Sequence, residues 1–93
     1  MVKKINASHI LVKTESDAKV ILYDVTHGGN FEDIAKQKST CPSGKKGGNL
    51  GWFGRNQMVR EFETACFNAK KGDIIGPVKT QFGYHIIKIV DVE

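Results

Sequence analysis

The sequence predicts an α+β domain built as a four-stranded, mostly antiparallel sheet with surrounding helices, in the order β-α-α-β-α-β-β. Three observations predict it. The two most β-rich segments, residues 5–12 and 84–90, lie at opposite ends of the chain. The segments with helical periodicity fall between them, and stretches rich in glycine, proline or asparagine separate the elements.

Ile5 to Val12 ends in a continuous apolar run, the pattern of a central strand covered on both faces. Thr14-Glu15-Ser16-Asp17 reads as a capping box, followed by Ala18, Ile21, Leu22 and Val25 at helical spacing and by Gly28-Gly29 as a stop. Asn30 caps a short second helix that carries Phe31, Ile34 and Ala35 inward and ends near Lys38. Ser39 to Asn49 holds Pro42, Gly44, Gly47 and Gly48 and is expected to be a loop with several positive-φ positions. Leu50 to Phe53 forms a short strand. Val59, Phe62, Ala65, Cys66 and Ala69 mark the buried stripe of a third helix ending before Gly72. Ile74 to Val78 is a strand interrupted by Pro77, Lys79 to Gly83 a turn, and Tyr84 to Val90 the closing strand. Both terminal strands read as central ones.

At 93 residues, with 40% apolar and 26% charged side chains, residues 1–93 are expected to form one domain with one modest core. An active site must therefore sit on the core itself. Cys41 and Cys66 form neither a CxxC pair nor a zinc-like pattern with histidine, so reduced thiols in a cytoplasmic setting are expected. Met1-Val2-Lys3-Lys4 leads into the first strand without an apolar signal core, and no stretch approaches membrane-spanning length.

His9 and His85 stand within the two most apolar strands, where an imidazole is costly unless its nitrogens have partners. Two readings stand open: core histidines satisfied by each other or by Ser and Thr hydroxyls, and a catalytic pair. Cys41 opens the glycine-rich loop, which suggests a Cys-His nucleophile, yet no hydrolase signature surrounds it. Cys66 reads as a small buried hydrophobe. Gly44-Lys45-Lys46-Gly47-Gly48 lacks the order of a phosphate loop. Leu50, Met58 and Phe62 come from a strand, a connector and a helix start, and could converge beside Cys41 as an apolar pocket or simply pack in the core.

Four blocks resemble the motifs of parvulin-type peptidyl-prolyl cis/trans isomerases, in that family's order. They are His9-Ile10-Leu11-Val12; Cys41-Pro42-Ser43-Gly44-Lys45 with Gly48-Asn49-Leu50-Gly51-Trp52-Phe53; Gln57-Met58-Val59 with Phe62; and Gly76-Pro77-Val78-Lys79-Thr80-Gln81-Phe82-Gly83-Tyr84-His85-Ile86-Ile87. The resemblance implies a small stand-alone parvulin in which Leu50, Met58 and Phe62 receive a proline ring. It further implies that His9, Cys41, Thr80 and His85 form a polar network and that Gln57 and Phe82 line the rim. The chain departs from the common pattern at Arg60, where many relatives have proline, and at Asn56, where glycine is frequent.

An isomerase of this kind needs no metal or cofactor, because rotation about an amide asks for preferential binding of the twisted state over either planar isomer. The expected partners are proline-containing peptides and unfolded or folding proteins. The competing reading is a non-catalytic proline-peptide-binding module or holdase. A phosphate-directed enzyme would place a basic cluster after the first strand, but that segment is Lys13-Thr14-Glu15-Ser16-Asp17, so no phosphoserine or phosphothreonine preference is expected.

The net charge is +4, and all of the 14 basic side chains except Arg55 and Arg60 are lysine. Lys36, Lys38, Lys70 and Lys71 fall at predicted helix C-termini, where cations complement the dipole and aid solubility. Lysine runs without interleaved aromatics do not suit specific nucleic-acid binding, whereas weak peripheral contact with an anionic membrane surface fits them better. A monomer is expected.

Overall fold

A computed structural model describes residues 3–93, so the first two residues of the N-terminal reading lie outside the described residues. The elements are β1 (Ile5–Val12), α1 (Glu15–Thr26), α2 (Phe31–Lys38), a 3-10 turn (Pro42–Lys46), β2 (Asn49–Phe53), α3 (Arg60–Phe67), β3 (Ile74–Thr80) and β4 (Gly83–Val92). The four strands form one sheet in the order β2-β1-β4-β3, with every neighbouring pair antiparallel.

The sheet is covered on both faces. Ile10, Val12 and Ile86 pack on one side with Ala18, Ile21 and Val25 of α1 and Phe31 and Ala35 of α2. Ile5, Ala7, Ile87 and Ile89 pack on the other with Phe53 and with Phe62 and Cys66 of α3. The two central strands, β1 and β4, therefore bury alternate residues in opposite layers, which explains their unbroken apolar runs. Thr14 Oγ1 accepts the Asp17 N–H at 3.2 Å and Asn30 Oδ1 accepts the Asp33 N–H at 2.9 Å, so both caps read from sequence form.

Three segments differ from expectation. The turn expected over Lys79 to Gly83 narrows to Gln81 and Phe82, because β3 runs through Thr80 and β4 begins at Gly83. The loop after α2 contains a 3-10 turn with Pro42 in its first positions, a structure too short and polar to show in hydrophobic periodicity. The third helix ends at Phe67 rather than running on through Ala69. Beyond it, Asp73 Oδ2 accepts the Lys70 N–H at 2.9 Å and Ile89 O accepts the Gly72 N–H at 2.8 Å, which draws the chain out of the helix and into β3. Lys36 and Lys38 do lie in the last turn of α2, but Lys70 and Lys71 follow α3 rather than complementing its dipole. Lys71 Nζ instead lies 3.4 Å from Asp91 Oδ1.

Candidate active site

β1 and β4 pair with His9 opposite Ile87 and Leu11 opposite His85, which brings the two imidazoles together across the central strands. Their rings stack with centroids 5.1 Å apart, and each meets Phe62 edge-on, at 5.5 Å from His9 and 5.2 Å from His85. Both histidines are almost fully buried. Each imidazole is pushed down to about 4 from its ordinary 6.5, by burial in both cases and, for His9, secondarily by the proximity of His85. At neutral pH both rings are uncharged.

Every ring nitrogen has a partner. His9 Nδ1 and His85 Nδ1 lie 2.9 Å apart, His85 Nε2 lies 2.7 Å from Thr80 Oγ1, and His9 Nε2 lies 3.1 Å from Ser43 Oγ. Ser43 Oγ in turn donates to Cys41 Sγ at 3.3 Å, while Thr80 Oγ1 accepts the Phe82 N–H at 3.2 Å. These contacts set the proton positions. Because the Ser43 hydrogen points to sulfur, Ser43 must accept from His9 Nε2–H; neutral His9 then accepts at Nδ1 from His85, whose Nε2 accepts the Thr80 hydroxyl hydrogen. The result is one polarised chain from the Phe82 amide through Thr80, His85, His9 and Ser43 to the Cys41 sulfur. Leaving such a buried group unpaired costs about 1–3 kcal/mol, so the chain also holds the rings in place.

Cys41 is half-buried and precedes the 3-10 turn. Ser39 Oγ anchors its backbone by accepting the Leu11 N–H at 3.1 Å and the Cys41 N–H at 3.3 Å. Gly48 makes the approach of this loop to β1 possible. Its φ is +87°, and a Cβ there would stand 2.3 Å from the His9 carbonyl oxygen.

Beside this chain opens an apolar cavity of about 390 Å³, lined by His9, Leu11, Thr40, Cys41, Pro42, Leu50, Met58, Val59, Phe62, Phe82 and His85. The sequence-derived residues Leu50, Met58, Phe62, Cys41, His9 and His85 thus share one wall, and Phe62 serves both core and cavity. Phe82 stands at the mouth, 59% exposed. Thr80 lies behind His85 rather than on the surface of the cavity. Gln57 is exposed and absent from the wall; its Oε1 accepts the Gly54 N–H at 2.7 Å. Asn56 adopts φ 68°, the left-handed region in which asparagine is the commonest substitute for glycine. Arg60 is the exposed first residue of α3 and leaves the cavity wall intact. The sequence reading missed Ser43 as the bridge to Cys41, although a hydroxyl two residues after the thiol was the available signal. Cys66 is buried in the layer beneath, where burial raises its thiol to about 12, which suits an inert core group.

Over residues 1–93 the chain matches the family model of the PPIC-type PPIase domain. The foldase protein PrsA of Geobacillus kaustophilus (strain HTA426) is 50% identical over 91 residues, which are 97% of this chain and 32% of that protein. The foldase protein PrsA of Bacillus subtilis (strain 168) is 50% identical over 86 residues, 91% of this chain and 30% of that protein. The chain therefore spans about a third of the length of these curated relatives. Among solved structures, the crystal structure of peptidylprolyl isomerase PrsA from Bacillus anthracis superposes with a TM-score of 0.96 at 45% identity, over 99% of this chain and 43% of that one. The solution structure of NmPin, the parvuline of Nitrosopumilus maritimus, gives a TM-score of 0.85 at 43% identity over 96% of this chain and 97% of that one.

Proposed function

The chain belongs to the PPIC-type peptidyl-prolyl cis/trans isomerase family, the parvulins, and from that premise we propose that its isomerase site works on Xaa-Pro bonds of folding proteins without phosphate selection and without a covalent intermediate. The observation that carries this reading is the apposition of the apolar cavity to the Cys41 end of the polarised chain.

Leu50, Met58 and Phe62 hold the proline ring, while the preceding carbonyl turns past Cys41. A planar amide resists rotation by about 18–20 kcal/mol. Each ~1.4 kcal/mol by which the site favours the twisted amide over the planar one gives about tenfold in rate. Ser43 donates to the sulfur, so the S–H is free to point toward the substrate, and the neutral histidines add no charge of their own.

The segment after β1 supports the absence of phosphate selection. Thr14 caps α1, and Glu15 and Asp17 occupy its first turn, leaving Lys13 as the single cation beside two acids. The name foldase, carried by the relatives, supports folding proteins as the substrate class. Exchange NMR on Ala-Xaa-Pro-Phe peptides tests the proposal: cis/trans exchange peaks are expected with this chain, at equal or greater rate for an unmodified serine than for its phosphorylated twin. A holdase would broaden peptide resonances without exchange peaks. Faster turnover of the phosphorylated peptide would overturn the specificity.

A further inference from the structure

The connector between β2 and α3 delivers Met58 and Val59 to the cavity, yet it has no regular structure of its own from Gly54 to Val59. One residue touches it at both ends, through its backbone at Val59 and its side chain at Asn56. Glu63, in the first turn of α3, donates its backbone N–H to the Val59 carbonyl at 3.0 Å. Its side chain, only 15% exposed, reaches back across the connector: Oε1 accepts the Asn56 N–H, and Oε2 lies 3.7 Å from Arg55 Nη1. The Arg55 guanidinium is held in turn over the Phe67 ring, 4.3 Å from its centroid, one helical turn beyond Glu63. Asn56 sits at φ 68°, a conformation a non-glycine residue keeps only where its surroundings define it.

We infer that Glu63 is a positioning residue for the proline cavity, holding Met58 and Val59 in the wall by clamping the connector ahead of them at Asn56. The inference rests on the reading of the cavity as the proline socket. A carboxylate accepting a backbone N–H makes a stronger bond than a neutral acceptor. The ion pair to the exposed Arg55 contributes little on its own. The acceptor at Asn56 is thus the operative contact, and the effect belongs on substrate affinity rather than on the rotation step, because no atom of Glu63 lines the cavity.

Glu63→Ala, Glu63→Gln, Arg55→Ala and Met58→Ala test it, each measured for KM and kcat by exchange NMR at a temperature where thermal melting shows the variant folded. Met58 methyl linewidths supply a second readout in the three variants that keep it. Glu63→Ala is expected to raise KM roughly fivefold to tenfold with kcat within about twofold, and to broaden the Met58 methyl signal. Glu63→Gln, which keeps an acceptor for Asn56, is expected to recover most of the affinity, and Arg55→Ala to change KM by less than about twofold. A raised KM in Met58→Ala with an unchanged KM and sharp methyl signal in Glu63→Ala would overturn the positioning role while leaving the socket. An unchanged KM in Met58→Ala would overturn the socket reading itself. Equal loss in Glu63→Gln and Glu63→Ala would overturn the assignment of the Asn56 acceptor as the operative contact.

Discussion

At Ser43 a single hydroxyl decides which way a six-residue hydrogen-bond chain points. With its hydrogen on the Cys41 sulfur, the chain requires His9 to carry its proton on Nε2 and His85 on Nδ1. Nitrogen-15 NMR of labelled imidazoles should show these two tautomers at neutral pH, and observation of His9 protonated at Nδ1 would reverse the chain. Removing the link by Ser43→Ala leaves His9 Nε2–H without its acceptor and frees the thiol. A lost hydrogen bond of roughly 1.4 kcal/mol that matters only during rotation would lower kcat about tenfold with KM nearly constant. At Cys41 the non-covalent mechanism makes its own prediction: Cys41→Asp, a poor acyl nucleophile, should retain measurable isomerisation. Its complete loss in a folded variant would point to covalent attack.

Among the elements, the join between the 3-10 turn and β2 is the least tolerant of change. Gly48→Ala would force a Cβ to 2.3 Å from the His9 carbonyl oxygen at a φ of +87°, so the loop bearing Cys41 and Ser43 must move away from β1. Strain of this kind costs on the order of 2–3 kcal/mol, and urea denaturation should show that loss with a matching loss of activity. The glycine run was legible in the sequence as a set of turn positions, but its contact with His9 was not, because that contact spans 39 residues of chain (48 − 9). The same division runs through the molecule. Strands, caps and the α1 and α2 boundaries followed from local pattern, since burial on both faces of β1 and β4 writes itself into continuous apolar runs. The 3-10 turn, the early end of α3 and the return of Glu63 to Asn56 depend on tertiary partners that leave no periodic trace. Within the site, His9 and His85 showed as polar residues inside apolar strands, whereas Thr80 fell in the expected turn and was indicated only by the family resemblance. Gln57 reads alike whether it faces the cavity or, as here, the Gly54 amide.

At the scale of the whole molecule, the positive charge is divided. Lys3 and Lys4 donate their backbone N–H groups to Glu93 O, and Lys71 pairs with Asp91, all at the end of the sheet where Ile5 meets Val92. Lys38 ends α2, just before Thr40 bonds to Leu11 near the opposite end of β1, about 20 Å away at ~3.3 Å per strand residue. The lysine set is therefore spread along the sheet rather than gathered in one cluster, a distribution that suits solubility. Cosedimentation with anionic vesicles should be slight and abolished by salt. The buried histidine pair gives the whole fold a different response to pH. Both imidazoles titrate near 6.5 in the unfolded chain but only at about 4 in the folded one, because burial disfavours their charged forms. Between those values the unfolded state binds more protons, so stability rises with pH. The contribution is complete above about pH 7, falls as pH drops from about 6.5 to 4, and changes no further below that. With two groups the slope reaches at most about 2.7 kcal/mol per pH unit. Urea midpoints measured from pH 8 to 4 should stay level and then fall below about 6.5, and the fall should be roughly halved in a folded His85→Asn variant. A midpoint unchanged down to pH 4 would mean that the folded rings take up protons as readily as the unfolded ones, and the buried chain to Cys41 would not be holding them neutral.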